Sequence, residues 1–228
     1  KGRFITLTVA EAAAGRRFVE AVRARVTTAL RWPSRRHDVP KTVIVQPRPD
    51  VAINIAFPFG GLLALRLPTR TLPGLPDEFI DGMAARKAII GDDVDCNDPA
   101  RWDPVWRRSS RETGGVHILV TLNAQMKPDG SPVDALDQAT RWVEDLCAKL
   151  EQKVAIVGGH RNDDPRWQDL SALMQPGASG APEPSPREHF GFVDAITDPV
   201  FEGQYTAEET TRRVIGNGKI VSDQSWQP

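Results

Sequence analysis

One stretch concentrates residues suited to chemistry: Glu188-His189-Phe190-Gly191-Phe192-Val193-Asp194-Ala195-Ile196-Thr197-Asp198-Pro199. Asp194 stands among apolar neighbours, a setting that strips water from a carboxyl and raises its pKa. A carboxyl tuned in that direction is what proton transfer near neutral pH requires. The other reactive side chains are scattered. Cys96 and Cys147 have no metal-ligand spacing, and two cysteines do not make a disulfide framework. Two free thiols fit a reducing compartment, so the cytoplasm is the expected location, with secretion as the alternative. His37 follows Trp32-Pro33 in a polar run and is expected in solvent. His117 lies in a strand-like run and reads as a hydrogen-bonded structural residue. His160 follows Gly158-Gly159, where it either binds something or caps a turn.

The whole chain gives these residues an ordinary background. Its 228 residues carry 29 basic and 30 acidic side chains, a formal net charge of −1. A balance so close to neutral gives no reason to expect nucleic acid or an anionic membrane as partner. Arg107, Arg108 and Arg111 cluster and read as a solvated basic face. No apolar run approaches the roughly 20 residues that span a bilayer. Lys1-Gly2-Arg3 leads straight into a strand, so the expectation is that the natural N-terminus lies upstream.

Periodicity then gives the elements. Residues 4–9 alternate as a buried strand, and Thr8-Val9-Ala10-Glu11 resembles a capping box opening a helix. Phe18, Val19, Val22, Val26 and Leu30 share one face of that helix up to Pro33. Residues 43–46 and 51–57 are strand-like, residues 60–67 a short helix, and residues 77–90 a further helix with Phe79, Met83 and Ala84 available for packing. Residues 92–114 form a long polar loop carrying Trp102 and Trp106. Residues 116–122 alternate with period two. Ser131-Pro132-Val133-Asp134 looks like a helix start with Ser as the cap. Val133, Leu136, Val143, Leu146, Cys147 and Leu150 supply its apolar stripe, and residues 154–157 a last strand.

The order strand, helix, strand, strand, helix, strand is the α+β ferredoxin-like split βαβ arrangement, a four-stranded antiparallel sheet with helices on one face. Residues 1–161 are expected to form this domain. Residues 162–228 form a connecting region that carries the Asp194 stretch, reached through the Pro/Gly/Ala/Ser-rich residues 175–187, which either link domains or drape over a site. The fold alone supports no particular activity.

The stretch His189-Phe190-Gly191-Phe192-Val193-Asp194, followed by Ile196, Thr197 and Pro199, resembles the haem-pocket motif of dye-decolorizing peroxidases, Gly-x-x-Asp-Gly in its short form. Val51-Ala52-Ile53-Asn54-Ile55-Ala56-Phe57 with Gly61-Leu62-Leu63-Ala64-Leu65 resembles that family's second strand and following helix. Asp77-Glu78-Phe79 through Gly82-Met83-Ala84-Ala85-Arg86 resembles the next segment. The resemblance implies a dimeric α+β barrel type of protein built from two ferredoxin-like domains, this chain being the N-terminal half. Asp194 would be the distal acid-base residue above a haem b, moving a proton between the two oxygens of hydrogen peroxide. His189 would lie near a haem propionate, and Ala195, Ile196 and Thr197 along the distal face. The family's proximal histidine, which ligates the iron, and its distal arginine would come from the C-terminal half or from a second chain. The reductant would be a dye or a phenolic compound.

Two positions depart from the motif. Ala195 replaces its second Gly, at a cost of about 1 kcal/mol if the position needs positive φ. Asp198 replaces the usual Gln and adds a carboxyl that would raise the pKa of Asp194 by like-charge repulsion. Two other classes of function fit the same chain: a non-catalytic haem or porphyrin carrier, and a structural ferredoxin-like subunit with a decayed motif. A further expectation is self-association of the isolated chain through an uncovered sheet face.

Overall fold

The computed structural model describes residues 1–28, 47–92, 98–160, 166–178, 180, 182–185, 187, 191–192, 200–201 and 220–221. These fall into two compact units, Lys1–Val26 with Asp50–Ser171, and Thr27–Pro49 with Ala172–Pro228.

The first unit holds β1 (Gly2–Val9), α1 (Ala12–Arg23), β2 (Val51–Ala56), α2 (Phe59–Ala64), α3 (Asp77–Asp81), β3 (Ile118–Ala124), α4 (Asp134–Lys149), β4 (Val154–Ile156) and β5 (Gln168–Leu170). The sheet order is β2-β3-β1-β4, every pairing antiparallel. This is the ferredoxin-like α+β arrangement expected from the element order. Alternation decides which way each strand faces. Ile5, Leu7 and Val9 of β1, Ile53 of β2, Ile118, Val120 and Leu122 of β3 and Val154 of β4 are all buried in one core. Phe18 and Val22 of α1 and Leu136, Val143 and Cys147 of α4 complete that core, so both long helices lie on the same face of the sheet. Burying a side chain such as Phe18, which is fully enclosed, stabilises the fold by about 1.5–3 kcal/mol.

The edge of β1 is filled twice. Leu7–Val9 pair with β4, and Gly2–Phe4 pair with β5, so the chain leaves the edge after Ile156 and returns to it at Gln168. Arg3 fastens the returning strand. Its guanidinium bonds Asp169 and Asp137, each at 2.7 Å, and Thr140 Oγ1 at 3.0 Å, and it lies 5.1 Å from the Trp167 ring centroid.

Local signals failed at helix ends. The capping box does not form: Glu11 is the N-cap without a side-chain bond, and Thr8 stays in β1. Helix α1 ends at Arg23; Val26 still packs on the core, and Leu30 lies outside the described residues, as does the strand expected at 43–46. Helix α4 starts at Asp134 with Val133 as N-cap, because Ser131 is occupied in a turn, its N–H and hydroxyl both donating to Asp129 Oδ1. The helix expected over 77–90 stops at Asp81, where Gly82 turns to φ +76°, a region that favours glycine. Met83 is consequently 73% exposed, and Phe79 packs edge-on against Phe59. No helix among the described residues is long and apolar enough to cross a membrane.

In the second unit β6 (Met174–Pro176) and β7 (Pro182–Pro184) form an antiparallel hairpin, and β8 (Val200–Phe201) pairs in parallel with β9 (Ile220–Val221). The low-complexity run 175–187 therefore contributes to a hairpin, a structure its prolines concealed.

Candidate functional site

The residues expected to carry the chemistry, His189, Asp194, Ala195, Ile196 and Thr197, lie outside the described residues. Their approach is described. The β6–β7 hairpin continues into Ser185, whose N–H donates to Leu173 O at 2.7 Å. Ser185 Oγ accepts from Arg187 N at 3.1 Å. Arg187 then reaches forward, Nη1 donating to Gly191 O at 2.7 Å. Gly191 has φ +93°, so a side chain there would be strained, and Phe192 beside it is 73% exposed.

Two of the four histidines are structural. Thr6 Oγ1 donates to Val157 O at 2.9 Å and stands 3.1 Å from His160 Nε2. With the hydroxyl proton committed to the carbonyl, Nε2–H is the donor of the second bond. His160 is fully buried, with Trp106 edge-on at 6.1 Å. His117 is 6% exposed. Its Nδ1 accepts from Val9 N at 2.8 Å, with Thr8 Oγ1 at 3.4 Å. Burial holds this imidazole below its ordinary pKa. The hydrogen-bonded role expected for His117 is what the structure shows. His160, in the turn after β4, is buried and bonded to Thr6 of β1. His37 lies outside the described residues.

Cys147 is buried in the core, and burial pushes its thiol up to about 11, so it is not a nucleophile. Cys96 lies outside the described residues. Among the described residues no group of three or more His, Cys, Asp or Glu side chains is placed to hold a metal ion. The basic cluster Arg107, Arg108 and Arg111 is exposed, as expected, and two of its members also make backbone bonds. Arg107 Nε donates to Trp102 O at 2.8 Å, and Arg111 donates to Ile80 O while lying over the Phe59 ring at 5.1 Å. Sequence reasoning missed these bracing roles, since Ile80 and Phe59 lie 31 and 52 positions from Arg111 in the chain.

No protein-family profile matches the chain. A dye-decolorizing peroxidase of Mycena epipterygia is 27% identical over 161 residues, covering 68% of this chain and 23% of the relative. A solved dye-decolorizing peroxidase in complex with 2,6-dimethoxyphenol superposes with a TM-score of 0.54 and 23% identity, over 90% of this chain and 36% of the other. A fungal DyP-type peroxidase from Auricularia auricula-judae superposes at 0.55 with 20% identity, over 97% of this chain and 38% of the other. The chain thus spans under a quarter of its curated relative and little more than a third of these solved structures. Sequence and fold together place it beside the N-terminal part of dye-decolorizing peroxidases.

Proposed function

We propose that this chain forms part of a haem-dependent peroxidase of the dye-decolorizing kind and supplies the group that moves the proton when hydrogen peroxide is cleaved. The observation that carries this reading is the similarity to such a peroxidase over 161 residues, joined to a fold shared over nine-tenths of the chain. Haem, of the b type, supplies the redox chemistry when bound. Among the described residues, His117 and His160 sit buried in hydrogen bonds to Val9 and Thr6. By the family resemblance, the axial histidine and the distal arginine would come from the same protein's C-terminal part or from a second chain.

Asp194 takes the proton from one peroxide oxygen and returns it to the other, so that the departing oxygen leaves as water instead of hydroxide. Its neighbours Ala195, Ile196 and Thr197 would line the distal face, and His189 would lie near a haem propionate. Arg187 and Gly191 hold the entry to this segment. The reducing substrate is a dye or a phenol, the class bound by the structure in complex with 2,6-dimethoxyphenol.

The test is steady-state oxidation of an anthraquinone dye with peroxide by the complete protein, alongside its visible spectrum. A Soret band with turnover supports the proposal. A Soret band without turnover makes the protein a haem carrier, and no Soret band makes it structural; either overturns it.

A further inference from the structure

Between two glycines the chain turns its apolar side chains toward water. Gly82 ends α3 at φ +76° and Gly91 lies at φ +80°, left-handed backbone that glycine adopts without strain. From one to the other the backbone closes on itself in turns. Arg86 N donates to Met83 O at 3.1 Å, Ile89 N to Arg86 O at 2.8 Å, and Asp92 N to Lys87 O at 2.8 Å. The Arg86 side chain ties this run back to α3, Nη1 donating to Asp81 Oδ2 at 3.1 Å with Nη2 3.6 Å from Glu78 Oε1. Met83 is left 73% exposed and Ile89 72%, with Phe79 and Ile90 also exposed. Apolar side chains crowded at a surface mark a place where a change in polarity has consequences.

Of these four side chains only Met83 carries an atom that an oxidant converts readily. The chain has three methionines. Met126 and Met174 are half-buried and sit in backbone pairings, opposite Pro132 and Pro184. Cys147 is buried, and its thiol, pushed up to about 11, supplies little thiolate to compete. Met83 is therefore the most open sulfur among the described residues, and it stands in apolar company.

We propose that Met83 is a site of modification by hydrogen peroxide, which converts its thioether to the sulfoxide and makes the surface at residues 79–90 more polar. A sulfur lone pair attacks one peroxide oxygen, an S–O bond forms and the O–O bond breaks. The proton on the bonded oxygen passes to the departing hydroxide, which leaves as water; sulfur is oxidised by two electrons and peroxide reduced by two. The product is a polar, strongly hydrogen-bond-accepting side chain in place of an apolar one, and reductases specific for each sulfoxide epimer reverse it. The choice of oxidant rests on the proposed activity, but the step needs neither haem nor Asp194, so the two can fail separately. The surface thereby registers peroxide that escapes turnover.

The test treats the haem-free 228-residue chain with hydrogen peroxide and follows each methionine by peptide mass mapping, with ANS fluorescence read in parallel. Met83 should gain one oxygen at least about threefold faster than Met126 or Met174. ANS fluorescence should fall about 1.5-fold or more as that oxygen is gained, and return on treatment with both sulfoxide reductases. Met83→Leu keeps the apolar surface without the sulfur, so its ANS signal should not respond to peroxide; Met83→Gln should start at the lowered signal. Oxidation of Met126 or Met174 as fast as Met83 overturns the proposal. So does an ANS signal unchanged after full conversion at Met83, or an equal fall in Met83→Leu. Should a variant fail to fold, the native chain decides alone, through the order of oxidation and the recovery of ANS binding on reduction.

Discussion

At Gly61 a single methyl group would land 1.9 Å from the carbonyl oxygen of His117. Backbone cannot yield as a flexible side chain can, so Gly61→Ala must push α2 away from the residues before β3. Overpacking of this kind costs about 1–3 kcal/mol, which should appear as a lower denaturant midpoint with little change in slope. An unchanged midpoint would mean that the close approach does not hold in solution. The Gly60-Gly61 pair was visible in the sequence, but nothing there named the backbone it must approach. His117 makes its own prediction. Its folded pKa is depressed, so the unfolded chain binds the proton more readily. Its stabilising contribution is complete above the unfolded value of about 6.5 and is lost as pH falls from there toward the folded value. Urea unfolding across that window should show a pH slope that His117→Asn lacks.

Among elements, Arg3 offers the cleanest test. Its side chain is only 14% exposed and joins β1 to α4 and β5, whereas its partners Asp137 and Asp169 are at least half exposed. Solvent screening limits each pair, so Arg3→Met should cost about 1–2 kcal/mol in total and accelerate exchange in residues 168–170 before the core loosens. Equal exchange in β5 of both proteins would show that strand pairing alone holds it. Strands were legible because burial on one face imposes period two, as at Ile118, Val120 and Leu122. The starts of α1 and α4 were not, because Thr8 and Ser131 had better uses in a strand and a turn than as caps. The Pro-rich run hid a hairpin since proline signals loops, yet Pro176, Pro182 and Pro184 occupy strand positions there. The Asp194 motif was legible only as a family resemblance, since one acid in apolar company specifies no reaction.

For the whole molecule, exposed apolar surface differs from what the sequence suggested. The sheet face away from the helices presents Asn54, Thr121 and Asn123, with Phe4 and Leu119 half-buried, so it is largely polar or small. Among the described residues, large exposed apolar side chains are densest in residues 79–90, at Phe79, Met83, Ile89 and Ile90, with Leu63, Trp106, Leu173 and Phe192 exposed elsewhere. ANS binding and self-association of the isolated chain should therefore fall in a Met83→Lys, Ile89→Lys double variant, by about twofold or more for a patch of this kind. Undiminished ANS fluorescence would return attention to the sheet face. The central claim is that Asp194 carries a proton for peroxide cleavage. Stopped-flow measurement of the Soret change on mixing peroxide with the complete, haem-loaded protein tests it most directly. Asp194→Asn should bind haem as the native protein does and react with peroxide about 10²–10⁴-fold more slowly; an unchanged rate constant at equal haem occupancy would contradict it.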